Sequence, residues 1–364
     1  MNSTGIATAS HAEGPPVRER FVMLDGVRGV AAIMVLILHG AMTFPNAFLM
    51  VDLFFMLSGF VLAHGYGERI DSWHGKRRFV IGRLIRIYPL YLVGCMIALP
   101  AATGMAIFGW NYFNLPVLGL AVVTAPFFIM LPYDGYTIPL NPPGWSLAFE
   151  LIANALFLVT GMRMRRILLI IPISALLLLW GMHLYEGGVT GWHSFWGVFP
   201  RTFFSFFTGV VLYRLWRGPN ILPRLRVPAL LLLAAVVAMC VYTPDHFRNY
   251  QAAAVFLLNP AIIWIGANTA VSGRTANFCT YLGALSYGVY VLHVPIIMLV
   301  EGIQFLLTGG AADSYMPNGS TAWISIPLSL IAAHLLTFRF EIPLRRRLAA
   351  RFLPRAVAHG SATG

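Results

Sequence analysis

The chain has 364 residues, 58% of them hydrophobic and 10% charged, with a mean hydropathy of +0.74. A water-soluble domain cannot hide so large an apolar fraction, so the composition excludes that class and indicates a polytopic, all-α membrane protein. The net charge of +12 comes from basic residues set between apolar runs, where they orient helices and meet anionic lipid; it is not a nucleic-acid footprint. Cys95, Cys240 and Cys279 are scattered through apolar sequence and suggest neither a disulfide framework nor a metal site.

Residues 1–20 are polar and precede an apolar run with no evident cleavage site, so they are expected to be a disordered cytoplasmic tail. A membrane domain is expected over 21–345 and a basic cytoplasmic tail over 346–364. A span needs about 20 apolar residues. Ten spans are expected, at 22–43, 48–66, 87–109, 144–161, 167–184, 194–215, 227–243, 251–271, 281–305 and 322–341. The apolar stretch 114–131 holds Pro116 and Pro126 and is read as re-entrant or partial. Charge supports this choice: with both termini inside, 23 of the 25 Lys and Arg fall on or near the cytoplasmic side, Arg201 and Arg248 being the exceptions. A full crossing at 114–131 would turn every later basic loop outward, against the bias that orients membrane helices. The outer loops would carry Asp134, Glu186, Asp245 and Asp313.

The first span, LDGVRGVAAIMVLILH, carries Asp25 and Arg28 three residues apart, on one helical face. His39 follows eleven residues after Arg28 on nearly the same face, about 16 Å further along. Ionisable groups within hydrocarbon are costly and tend to mark a pathway or a site, although a lone histidine can be structural. The second span holds Asp52 near its outer end and Ser58–Gly59 in its middle.

The run KRRFVIGRLIRIYPLYL then feeds the third span. Its plainest role is a helix whose long basic side chains reach the lipid surface. Arg83 and Arg86, an i,i+3 pair, also suit a phosphate-rich ligand. In NPPGWSLAFE, Ser146 and Glu150 share a face, with Glu150 expected roughly two turns below the outer surface. Arg201 enters the sixth span from outside. In SYGVYVLHVP, Ser286, Tyr290 and His293 form one stripe. His39, Glu150, Arg201 and His293, with Asp52, are thus expected at matched depth in the outer half of the bilayer, around one polar cavity or as an ion-pair network holding the bundle together.

These segments carry a resemblance. LDGVRG followed by His39, VDLFFMLSGF, RLIRIYPLYL, NPPGWSLAFE, RTFFSFFTGVVLYR, LGALSYGVYVLHVP and FRFEIPLRR, in this order from about residue 20 to 350, resemble the acyltransferase-3 family of membrane-bound O-acyltransferases in its stand-alone form, without an SGNH-type esterase domain. The resemblance implies a bundle of roughly ten spans. The family's Arg–x10–His motif maps onto Arg28 and His39, and its R-x-x-R motif onto Arg83 and Arg86.

It further implies a multi-pass protein of the cell inner membrane. Such a protein would take an acyl group, acetyl in particular, from cytoplasmic acyl-CoA to a hydroxyl of a surface polysaccharide or other glycoconjugate. On this reading Arg83 and Arg86 hold the CoA phosphates. Arg28 lies along the thioester's path or fixes the first helix through Asp25. His39 is the general base or a transient acyl carrier. Glu150 orients the acceptor or sets the tautomer of His39. Asp25, Asp52, Ser146, Arg201, Tyr290 and His293 are further cavity candidates. Acyl-CoA, a carbohydrate acceptor and the bilayer are the expected partners, with no metal and no nucleic acid. The alternative is a transporter of a glycan or small solute through the same cavity, although the inverted repeats common in such proteins are not evident. A scaffold with a vestigial site is a third reading.

Overall fold

The structure, a computed structural model, describes residues 20–108, 114–131, 138–184, 195–219, 221–308 and 319–353. The expected N-terminal tail up to residue 19, the end of the C-terminal tail from residue 354, and Asp134, Glu186 and Asp313 lie outside the described residues. Among the described residues every regular element is helical.

In chain order the α-helices are α1 (Val22–Ala41), α2 (Met50–Tyr66), α3 (Trp73–Ile107), α4 (Leu115–Thr124), α5 (Gly144–Thr160), α6 (Met164–Leu184), α7 (Phe195–Arg217), α8 (Ala229–Val241), α9 (Phe247–Ala253), α10 (Asn259–Asn268), α11 (Gly273–Leu307), α12 (Ala322–Leu336) and α13 (Ile342–Phe352). A π-helical stretch, Ala254–Leu258, joins α9 to α10, and a second, Thr337–Glu341, joins α12 to α13. Each of the ten expected spans falls on a helix. Among the described residues seven helical stretches are long and apolar enough to cross a membrane, while Leu115–Phe127, Gly144–Thr160 and Ala229–Val241 are apolar but shorter.

The third span begins far earlier than its apolar part. Ser72 caps α3, its side chain accepting from the Gly75 amide at 3.0 Å. The basic run and the span therefore form one helix of 35 residues. α4 is too short to cross, and the chain departs from helix at Phe128, whose φ is 56°. The Ala125 carbonyl accepts from the Tyr91 hydroxyl of α3 at 2.8 Å, and Phe128 stacks on the Tyr91 ring at 4.1 Å. The segment 114–131 thus packs into the bundle along α3 as a partial helix.

Two helix pairs position the polar groups. α1 and α11 run in the same direction, with Gly26 beside Cys279, Arg28 beside Ser286 and His39 beside His293. Their backbones approach so closely that a Cβ on Gly29 would stand 2.4 Å from that of Leu282. In lipid, helices associate through such small-residue contacts because apolar burial supplies little drive. α2 and α7 are likewise parallel, with Asp52 beside Arg201, Gly59 against the Phe206 backbone, and Phe60 against Tyr213. Two large apolar clusters fill the bundle, one around α1, α2 and α7, the other around α3 and α11.

Candidate functional site

α1, α2, α3, α5 and α11 surround a cavity with about 850 Å³ of free space, its open mouth included. Its polar lining is Arg28, Ser58, Arg83, Arg86, Ser146, Glu150, Ser286, Tyr287 and Tyr290, and its apolar lining includes Val51, Phe54 and Val61. Val51 and Val61 are ten residues apart on α2, so the cavity extends about 15 Å along that helix.

At one end of the cavity three arginines converge. Arg28 is held by α11: its Nη2 donates to the Gly283 carbonyl at 2.8 Å and its Nε to the Ser286 hydroxyl at 2.9 Å. Nη2 also reaches Asp25, one turn earlier on α1, at 3.2 Å. Asp25 serves this arginine from behind and does not line the cavity. Arg83 donates to Glu150 at 3.3 Å, and Glu150 also accepts from Ser58 at 2.6 Å. Arg86 lines the cavity without an ion pair or hydrogen bond among the described residues. Three guanidinium groups thus face one space, and their acidic neighbours are Asp25 and Glu150. Such a surface suits an anionic ligand, and a fork-shaped cation with no protein partner has its donors to spare for one.

At the other end Ser146 and Tyr290 close on each other, their hydroxyls 2.6 Å apart. The phenol ring of Tyr290 packs edge-on to Phe54 at 5.3 Å and lies 5.9 Å from the ring of His293. His293 is fully buried, and its Nε2 stands 3.2 Å from Nδ1 of His39. His39 is exposed on the last turn of α1 and is not part of the cavity wall. The histidine pair therefore sits behind Tyr290, beyond the end of the cavity opposite the arginines.

The arrangement departs from the expected shared cavity at several groups, and His39 and His293 are the first, since neither lines its wall. Glu150 is level with Arg83 and Ser58, so it belongs with the arginines and makes no contact that could set the tautomer of His39. The reason is that α5 starts inside the bundle: Asn141, just before it, donates to the Val291 carbonyl at 3.1 Å, and Ser146 already meets Tyr290 in the first turn. Asp52 and Arg201 do not line the cavity either. Arg201 donates to both carboxylate oxygens of Asp52, at 2.6 and 2.5 Å, with the Phe48 ring 5.1 Å from the guanidinium. That is the structural ion pair, not a cavity group. The stripe on α11 is divided: Ser286 and Tyr290 face the cavity and His293 faces His39.

Tyr287 lines the cavity and went unnamed in the sequence; its hydroxyl donates to the Ile87 carbonyl of α3. Its spacing of three residues from Tyr290 in SYGVY was the available signal. No group of His, Cys, Asp and Glu among the described residues could hold a metal ion.

Comparison with known proteins agrees in kind. A family model described as an acyltransferase domain matches residues 21–338. Among curated relatives, Protein 2 in picA locus of Rhizobium radiobacter is 35% identical over 194 residues, 46% of this chain and 96% of that protein. Acyltransferase MdmB of Streptomyces mycarofaciens is 27% identical over 96% of this chain and 97% of its own length. Peptidoglycan O-acetyltransferase OatA of Listeria monocytogenes is 24% identical over 89% of this chain, which spans 55% of that relative's length. No solved structure matches the chain.

Proposed function

The chain belongs to the acyltransferase-3 family and is a membrane acyltransferase, and from that premise we propose that it carries an acyl group, acetyl in the simplest case, from cytoplasmic acyl-CoA to a hydroxyl of a cell-surface glycan. The observation that carries this reading is the convergence of Arg28, Arg83 and Arg86 on one cavity, with Arg86 unpartnered among the described residues. The basic residues Lys76, Arg77 and Arg78 in the first turns of α3 support a cytoplasmic position for that end of the cavity, in the inner membrane of the cell, by the charge bias of membrane helices. Arg83 and Arg86 bind the phosphates of the donor. Glu150 keeps Arg83 aimed at the cavity, and Arg28, braced by α11, flanks the path of the thioester. The apolar wall from Val61 to Val51 leads the acyl end toward Tyr290 and the histidine pair.

The transfer itself needs a base for the hydroxyl, since the thioester is already activated. The acceptor oxygen forms the new bond to the acyl carbonyl carbon and the carbon–sulfur bond breaks. The hydroxyl proton passes to Nε2 of His39 and from there to the departing thiolate, which restores the neutral imidazole. Histidine suits this task because its proton affinity lies near working pH. The glycan acceptor is supported by the relative named as a peptidoglycan O-acetyltransferase.

The test uses membrane vesicles and acetyl-labelled CoA. Wild-type protein should move label into envelope glycan, and Arg86→Ala at equal abundance should need more donor. No consumption of acetyl-CoA by the wild-type protein would reject the reading in favour of a transporter.

A further inference from the structure

Two parallel helices bring His39 and His293 together, and the polar contacts of their ring nitrogens favour one arrangement of protons. Nδ1 of His39 lies 2.9 Å from the Val35 carbonyl oxygen, and Nδ1 of His293 lies 3.0 Å from that of Val289. A carbonyl oxygen can only accept, so each Nδ1 bears a hydrogen. Nε2 of His293 faces Nδ1 of His39 at 3.2 Å. A hydrogen on that Nε2 would point at another N–H; the contact is satisfied when Nε2 offers its lone pair and Nδ1–H of His39 is shared between it and the Val35 carbonyl. Both rings are then neutral. Nε2 of His39 is left with a lone pair and has no hydrogen-bond partner among the described residues.

We propose that His293 is a positioning residue for the transfer, holding His39 in the tautomer whose free nitrogen takes the hydroxyl proton and accepting from the imidazolium that results. The proposal rests on the reading of His39 as the base. His293 occupies the place an aspartate takes beside the histidine of a hydrolase triad. A neutral imidazole there accepts the same hydrogen bond without setting a permanent negative charge in an apolar interior, where an unpaired carboxylate would be costly. The helix packing makes the arrangement rigid. His293 is 0% exposed and bonded to its own helix. The close approach at Gly29 fixes α1 against α11 ten residues before His39.

The plain alternative is that the pair only ties α1 to α11. Substitutions separate the two. In His293→Gln the side-chain oxygen can stand where Nε2 stands and still accept from His39; in His293→Leu nothing accepts. Label transfer from acetyl-labelled CoA to envelope glycan is measured in membrane vesicles at matched abundance. We expect His293→Gln to keep kcat within about tenfold and His293→Leu to lose about 100-fold, the range of general-base effects, with KM for acetyl-CoA moving less than about twofold in both.

A structural tie would instead cost abundance and spare kcat. Wild-type kcat in His293→Leu, with His39→Ala inactive, would overturn the proposal and leave the base reading intact. Equal loss in the Gln and Leu variants would overturn the acceptor role. Full activity in His39→Ala would overturn both. If His293→Leu does not reach the membrane, His293→Asn takes its place, since its shorter amide cannot reach Nδ1 of His39; equal kcat in the Asn and Gln variants would overturn the proposal.

Discussion

Asp52 and Arg201 meet through two hydrogen bonds, at 2.6 and 2.5 Å, with side-chain exposures of 0% and 3%. Both charges are out of reach of solvent, and each makes the other tolerable. Removing one partner strands the other, which costs about 3–5 kcal/mol in buried pairs, whereas replacing both with apolar groups is often neutral. Asp52→Ala and Arg201→Ala should each lower membrane yield and the melting temperature of detergent-purified protein. The double variant Asp52→Leu with Arg201→Met should recover most of the loss. Single variants that melt like the wild type would show that the pair carries no stability.

The two arginines of the R-x-x-R motif should behave differently when removed. Arg86 has no partner among the described residues to strand, so Arg86→Ala should leave abundance unchanged and raise KM for acetyl-CoA. Loss of one hydrogen bond to a charged group is worth about 1.5–3 kcal/mol, or roughly a 10- to 100-fold change. Arg83→Ala leaves Glu150 in the cavity wall with only Ser58. It should reduce abundance as well as donor affinity, and adding Glu150→Gln should restore abundance alone. Donor titration alongside immunoblotting separates the two effects.

Gly59 has no room for a side chain. A Cβ there would lie 1.9 Å from the Phe206 carbonyl oxygen of α7. Gly59→Val should therefore force α2 and α7 apart, destabilise the fold by about 1–3 kcal/mol or more, and lower the amount of protein in the membrane. Gly65, with nothing within 4 Å of its Cβ position, is the control; Gly65→Ala should be silent by the same measurement.

His39→Ala removes the proposed base while leaving Arg28 and its ties to Gly283 and Ser286 in place. Product formation should fall about 10²- to 10⁴-fold at normal abundance, with donor KM nearly unchanged. Mass spectrometry of envelope glycans from cells with and without the variant reads the outcome. An unchanged acetyl increment would remove His39 from the chemistry.

What the sequence determined by itself was local to single helices, and only in part: the stripe of Ser286, Tyr290 and His293 on α11 divides, and His39 stands outside the cavity wall that Arg28 lines. Apolar runs of sufficient length announced the membrane class. The fixed angular step of the α-helix put Asp25 with Arg28, Arg83 with Arg86, and Ser286 with Tyr290 on common faces, and the structure keeps each of these groupings. The prolines and charge balance around 114–131 were enough to read that stretch as partial. Tertiary structure alone decided which faces meet. Glu150 found Arg83 from 67 residues away, Arg201 found Asp52 from 149, and His293 found His39 from 254. No periodicity encodes such pairings; they follow from close helix contacts at glycines and from the depth at which each helix begins. α5 starts inside the bundle, so Glu150 lies with the arginines. Burial then leaves a charge or a ring nitrogen only the partner within hydrogen-bond reach, and that partner is set by packing.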